Sequence, residues 1–247
     1  MKTIVLAAGY ATRLYPLTEN FPKPLLEIGD NTILGRLLDD VDTLPGITGH
    51  IIVTNGKFAP LFERWAASRP GGESRPIRVL SDGTFTNETR LGAVRDLVLA
   101  IETYGTDEDI LVLAADNILD FSLKGFVEAF REKKTSMIMC HYEPEIYKLQ
   151  RTGVIEVDGN MKVLQMQEKP EVPVSHWAVP PFYIYRREDL DLIRHALEHG
   201  CGFDAPGNLA HYLVDVTTLH AWPMPGGRFD IGSLDTYEEA KRKYGKS

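Results

Sequence analysis

A chain of 247 residues that is 43% apolar and 25% charged is long enough to bury a full core and ordinary in composition. Its 27 Lys and Arg against 35 Asp and Glu leave a net charge of −8, which repels polyanions. That balance argues against nucleic-acid and anionic-membrane partners, so any cations must act locally. Cys140 and Cys201 lie far apart, so neither a disulfide framework nor a thiolate metal cage is expected. No apolar run approaches the roughly 20 residues of a membrane span, and a soluble, cytoplasmic protein is expected.

Thr3 to Ala8 opens the chain as a short apolar run ending at Gly9, the pattern of a buried parallel strand, and His50 to Thr54 is a second. Between them Ile33, Leu34, Leu37, Leu38 and Val41 recur at helical spacing, which makes a right-handed β-α-β unit the economical topology. Ile77 to Leu80 and Asp109 to Ala114 read as further strands, with a helix over 90–102 between them. This alternation predicts a doubly wound parallel sheet with its ligand site at the carboxyl ends of the strands. In the second half, strands over 136–141, 153–157, 163–167 and 182–185 follow one another across turns such as Asp158-Gly159. A helix over 188–198 and a strand over 218–223 complete the reading, and the Pro- and Gly-rich stretch 68–76 is the best loop. The expected fold is a three-layer α/β/α domain, Rossmann-like, with a mostly parallel central sheet and an added mixed or antiparallel C-terminal portion.

Chemistry concentrates after the first strand, in Leu6-Ala7-Ala8-Gly9-Tyr10-Ala11-Thr12-Arg13-Leu14-Tyr15-Pro16-Leu17-Thr18 followed by Pro22-Lys23-Pro24. A glycine at a strand end lets backbone N–H groups approach phosphate oxygens, and an arginine and a lysine a few residues on can neutralise a triphosphate. Taken bare, one glycine and two bases also describe a tight turn with solvated charges. The segment has neither a dinucleotide fingerprint nor a Walker ending.

In its order, the segment resembles the signature L-A-[AG]-G-x-[GA]-T-R-L-x-P-L-T … P-K-P of the sugar-phosphate nucleotidyltransferases, the family of glucose-1-phosphate thymidylyl- and uridylyltransferases. Further segments continue the resemblance: Leu113-Ala-Ala-Asp-Asn117, Arg151-Thr-Gly-Val-Ile-Glu-Val157, Gln167-Glu-Lys-Pro170 and Phe229-Asp-Ile-Gly-Ser233. The resemblance implies a GT-A-type domain over 1–247, with a nucleotide-binding half (1–120) and a sugar-phosphate-binding half (121–247). It implies transfer of a nucleotidyl group from a nucleoside triphosphate to a sugar 1-phosphate or similar phosphomonoester, with Mg²⁺ as cofactor, and leaves homo-oligomerisation open. Alternatives are a cytidylyltransferase acting on a non-sugar monoester such as phosphocholine, a non-catalytic nucleotide-sugar-binding paralogue, and a glycosyltransferase. The paralogue would be free to lose Arg13, Lys23, Asp116 or Asp230, all present here. The glycosyltransferase would show an Asp-x-Asp after a strand, whereas Asp39 to Asp42 falls at a helix end.

Carried over residue by residue, the resemblance implies that Leu6, Ala7, Ala8, Gly9, Arg13, Lys23, Asn87 and Gly92 hold the nucleotide. It assigns Asn117, Gly153, Glu168, Lys169 and Arg228 to the sugar phosphate, and Asp116 and Asp230 to one Mg²⁺. Arg13, Lys23, Asp116 and Lys169 would carry catalysis, because bringing two polyanions together needs charge neutralisation and alignment more than an acid or base. On its own Asp116 also reads as a helix cap, and Glu168 equally as an ion-pair partner of Lys169. Three departures stand out. Asn87 to Arg95 lacks the family's glutamine-proline frame, Pro181 stands where a glycine meets the sugar, and Arg228 replaces the tryptophan of the late motif. Proline has no N–H to offer a substrate, and an added arginine favours a more anionic one.

Overall fold

Thr32 starts the first long helix by accepting a hydrogen bond from the Gly35 N–H at 2.9 Å, and the predicted apolar stripe of that helix, Ile33 to Val41, is buried. The protein is described here by a computed structural model that covers residues 1–70 and 75–245; residues 71–74 of the loop expected over 68–76 lie outside the described residues. The strands are β1 (Lys2–Leu6), β2 (Glu27–Ile28), β3 (Asn31–Thr32), β4 (Gly49–Thr54), β5 (Ile77–Ser81), β6 (Ile110–Ala114) and β7 (Asn117–Leu119). They continue with β8 (Ser136–Tyr142), β9 (Gly153–Val157), β10 (Val163–Glu168), β11 (Trp177–Val179), β12 (Phe182–Tyr185), β13 (Leu219–Pro223) and β14 (Arg228–Asp230). The helices are α1 (Ile33–Thr43), α2 (Ala59–Ser68), α3 (Ala93–Thr103), α4 (Lys124–Lys133), α5 (Ile146–Leu149), α6 (Leu190–His195), α7 (Pro206–Val216) and α8 (Leu234–Tyr244).

Every strand expected from sequence forms, within a residue or two of its expected ends. The helix expected over 90–102 starts instead at Ala93, because Gly92 takes φ +94° in front of it. The one expected over 188–198 is broken into α6 between two 3₁₀ turns. Helices α2, α4, α5, α7 and α8 have no counterpart among the elements expected from sequence. The cap of α8 is reciprocal, with Ser233 accepting from the Thr236 N–H and Thr236 from the Ser233 N–H, a capping box written with threonine rather than the usual Glu or Gln.

The chain forms two compact units. The first comprises Thr3–Arg90, Ala114–Lys124 and Gly226–Ser247. In it β4 and β5 pair in parallel, and β7 and β14 form an antiparallel ladder that sets Arg228 opposite Leu119 and Asp230 opposite Asn117. Leu14, Leu26, Ile28, Ile33, Ile118, Ile231, Tyr237 and Ala240 bury one another there, so the last helix closes over the loops that follow β1.

The second unit comprises Met1–Lys2, Leu91–Leu113 and Gly125–Pro225. Its strands run in the order β10-β9-β11-β8-β12-β6, with β13 parallel to β8. Trp177 faces Tyr142 while Tyr183 faces Ile138, so six residues of one chain segment span four of the other. The surplus is Pro180-Pro181, which has no N–H to pair and bulges out of the ladder.

Candidate active site

In the first unit the chain leaving β1 is tied to the end of β4. The Ala7 N–H donates to Val53 O at 2.8 Å, the Thr54 hydroxyl to Ala7 O at 3.3 Å, and the buried Asn55 amide to Ala8 O at 3.1 Å. These bonds spend Ala7 and Ala8 on fixing where the loop begins. Asn55 is a residue the sequence reading missed; its signal was the Asn-Gly pair that ends the β4 strand. Gly9 is exposed, and a Cβ built on it would meet nothing within 4 Å, so its missing side chain leaves room beside the backbone.

Beyond Gly9 the motif holds its own shape. Ala11 sits at φ 48°, a left-handed conformation a non-glycine residue adopts at a cost, and its carbonyl accepts from the buried Thr18 hydroxyl at 2.8 Å. Leu14 is buried in the core and the following turn carries Lys23 inward, so the motif's apolar and threonine positions position its cations. Arg13 is left exposed on this scaffold, while Lys23 is 8% exposed and its amine lies 3.0 Å from Asp116 Oδ2.

The β7–β14 ladder brings the two distant aspartates together. The Ile231 N–H donates to Asp116 O at 3.2 Å, so a backbone hydrogen bond ties segments more than a hundred positions apart. Crowding around its carboxyl, and then the charge of Asp116, raise the Asp230 carboxyl above its ordinary value. Lys23, Arg228 and Arg13 pull it back. The Asn117 amide donates to Asp116 Oδ1 at 2.6 Å and accepts from Arg228 at 2.6 Å. A side chain at Gly232 would approach both the Arg13 guanidinium, at 3.7 Å, and Asp230 Oδ2, at 3.8 Å. Arg13, Lys23, Asp116, Asn117, Arg228 and Asp230 therefore form one cluster of alternating charge. Asn87 stands apart from it in the described contacts, opening a 3₁₀ turn whose carbonyl accepts from Arg90 at 3.2 Å.

The second unit carries the remaining predicted residues. Glu168 faces Gly153 across the β10–β9 ladder. Its carboxylate is wedged against the start of α7, where a Cβ on Gly207 would lie 1.9 Å from Oε2. Burial raises the Glu168 carboxyl, against the lowering pull of Lys169 and His211. Lys169 follows in the left-handed region at φ 49°, with its N–H bonded to Thr152 O at 3.0 Å. Its side chain is 54% exposed and its amine is 4.0 Å from Glu168. Gly92 is buried elsewhere in this unit; a Cβ there would strike Phe203 O at 2.6 Å, so packing as well as conformation demands glycine. Gly207 and His211 were not singled out from sequence, since neither the α7 pattern nor its contact with Glu168 is local.

A turn that opens a strand-end backbone to a ligand, backed by two cations and two converging carboxylates, defines a protein that handles phosphate esters on an α/β scaffold. The family model described as "Nucleotidyl transferase" matches residues 2–247, and the chain belongs to that family. It is 26% identical to "UTP--glucose-1-phosphate uridylyltransferase AglF" of Haloferax volcanii over 98% of this chain and 96% of that protein. It is 28% identical to "Glucose-1-phosphate thymidylyltransferase" of Mycolicibacterium smegmatis over 78% of this chain and 64% of that one. A solved structure titled "The Crystal Structure of UDP-glucose pyrophosphorylase complexed with UDP-glucose" superposes with a TM-score of 0.83 at 21% identity, covering 99% of this chain and 98% of that one. That likeness shows the fold, the helix-flanked mixed sheet with a mostly parallel core that the strand pattern predicts. Among the described residues no helix is long and apolar enough to cross a membrane.

Proposed function

We propose that this nucleotidyltransferase joins a nucleoside triphosphate to a sugar 1-phosphate, giving a nucleoside diphosphate sugar and pyrophosphate. The observation that carries the reading is the single cluster in which Lys23, Arg13 and Arg228 face the paired carboxylates of Asp116 and Asp230. Attack of a monoester oxygen on the α-phosphorus places two polyanions in contact, and such a cluster lowers that barrier by fixed charge.

Mg²⁺ fits this donor set. It is a hard cation that uses one or two carboxylates and completes its shell with water and phosphate oxygens. Two aspartates with room for substrate oxygens suit such a cation without a third protein ligand. When bound, the cation would polarise the phosphoryl oxygens and neutralise the departing pyrophosphate. The chain's own residues do the rest. In the first unit Arg13 and Lys23 grip the triphosphate; in the second Lys169 takes the monoester phosphate, and Glu168 beside Gly153 accepts hydrogen bonds from its hydroxyl groups. Asn87 and Gly92 belong to the segment that would bound the base. A cytoplasmic setting suits a supply of nucleoside triphosphate.

The Pro180-Pro181 bulge favours a second reading of the acceptor, a non-sugar monoester such as phosphocholine, because it removes two backbone donors from that stretch. Pyrophosphate release, measured with each of five nucleoside triphosphates against a panel of sugar 1-phosphates and alcohol phosphates, tests both. Release that requires one triphosphate and one sugar 1-phosphate together is expected. Release from a nucleoside triphosphate with phosphocholine as the sole productive acceptor moves the acceptor to the second reading, and no release with any pair defeats both.

A further inference from the structure

Asn117 and Arg228 have a task of their own. Asn117 is 1% exposed, and both ends of its side-chain amide are taken: Nδ2 donates to Asp116 Oδ1 and Oδ1 accepts from Arg228 Nη1, each at 2.6 Å. The other Asp116 oxygen, Oδ2, accepts from Lys23 at 3.0 Å. The ladder explains the arrangement. Residues directly opposite in an antiparallel pair share a face, as do residues two apart along a strand. Asn117 is opposite Asp230, and Arg228 is two residues before Asp230, so Arg228 meets Asn117 on the diagonal, a separation a long side chain spans.

An amide can face Asp116 with either its donor or its acceptor end, and only the donor end attracts a carboxylate. A guanidinium has donors alone, so Arg228 accepts no bond and can hold only the Asn117 oxygen. We infer that Arg228 is a positioning residue: by pinning the Asn117 amide it keeps Asp116 turned toward its divalent cation, and neither residue holds the monoester. The inference rests on the reading that Asp116 and Asp230 share that cation.

Mn²⁺ serves as the probe, titrated into the full chain without substrates and read by electron paramagnetic resonance. Outer partners of metal ligands commonly change affinity by about 10–100-fold. Arg228→Met is expected to weaken Mn²⁺ binding by about tenfold and to lower kcat at fixed Mg²⁺, with the monoester KM unchanged. Arg228→Lys, which restores a donor, is expected to recover part of the Mn²⁺ affinity. Adding Asn117→Ser to Arg228→Met is expected to cost little more, since the two act in series. A raised monoester KM with unaltered Mn²⁺ affinity overturns the relay and makes Arg228 a substrate contact. Unaltered Mn²⁺ affinity with unaltered kinetics overturns it as well. Wild-type protein that takes up no Mn²⁺ overturns the metal assignment and the relay together, whereas normal wild-type uptake with an indifferent variant overturns the relay alone.

Discussion

In the first unit the charged site residues are already engaged with one another: Lys23 with Asp116, Asp116 with Asn117, Asn117 with Arg228, and Asp230 facing three cations. In the second, Lys169 stands 54% exposed with Glu168 as its nearest acid at 4.0 Å. A network whose members compensate one another is set before any ligand arrives, and it loses several interactions when one member goes. An exposed lysine pays side-chain entropy only when it captures a ligand, and its removal costs that one contact. The first arrangement suits charge development at a reacting phosphorus. The second suits reversible capture of a small anion.

The largest effects should therefore come from the paired aspartates. Asp116→Asn and Asp230→Asn keep shape and remove charge, and metal stabilisation of several kcal/mol corresponds to a loss of at least about 100-fold in kcat/KM for each. The double variant should lose little beyond either single one, because the pair acts as a unit. Steady-state pyrophosphate release decides the matter, and activity that persists in excess chelator removes the metal from the account.

Next comes the contrast between the two units, read as a split in kinetic constants. Lys169→Ala should raise the monoester KM by about one to two decades, the equivalent of a charge-assisted hydrogen bond worth roughly 1.5–3 kcal/mol, with the nucleotide KM unmoved. Arg13→Ala should do the reverse. Equal losses for both substrates in either variant would erase the distinction between a nucleotide-gripping unit and a monoester-gripping one. Gly207→Ala sharpens it further. The new methyl group would fall 1.9 Å from Glu168 Oε2, the end of a flexible side chain that can swing away without unfolding α7. A rise of several-fold in monoester KM is expected, with thermal stability close to that of the wild type.

Sequence made the first unit's chemistry legible because its signals are local. Gly9, Arg13 and Lys23 stand close together in the chain, a pattern that taken bare also describes a tight turn and that gains meaning from the longer resemblance, which alone points to the late Asp230. The structure gathers these cations and carboxylates into one cluster. The partners of those residues were hidden because they come from tertiary pairing. Nothing near Asn117 in sequence says that Arg228 will meet it across a three-residue ladder, and the fit of Gly207 against Glu168 joins residues on different elements. Strands were easier to read than helices. A short, continuous apolar run such as Ile110 to Ala114 suits little besides a buried strand, whereas α8 has a mostly polar, charged sequence that only its cap and its burial of Tyr237 and Ala240 identify as packed.

The smallest effect concerns what the second unit gives up in stability to keep Glu168 where it is. Burial raises the Glu168 carboxyl above its ordinary value of 4.5, so the folded protein holds that proton more tightly than the unfolded chain does. Between 4.5 and the raised folded value the folded state carries the extra proton, and linkage makes this group's contribution to stability fall as pH rises through that window. Above the window the loss stays constant. Glutamine has no proton to lose, so Glu168→Gln should melt slightly higher than the wild type at pH 7, and the difference should vanish at about pH 4, where both side chains are neutral. The expected reading is a small upward shift of the melting midpoint at pH 7 and none at low pH. The same variant should bind the monoester more weakly, since a neutral amide accepts fewer hydrogen bonds than a carboxylate. Melting curves recorded across this pH range carry the test. A Glu168→Gln protein that melts lower than the wild type at pH 7 would show that Lys169 and His211 outweigh the burial of the carboxylate, making Glu168 a structural anchor of α7 rather than a charge held at a cost for the ligand.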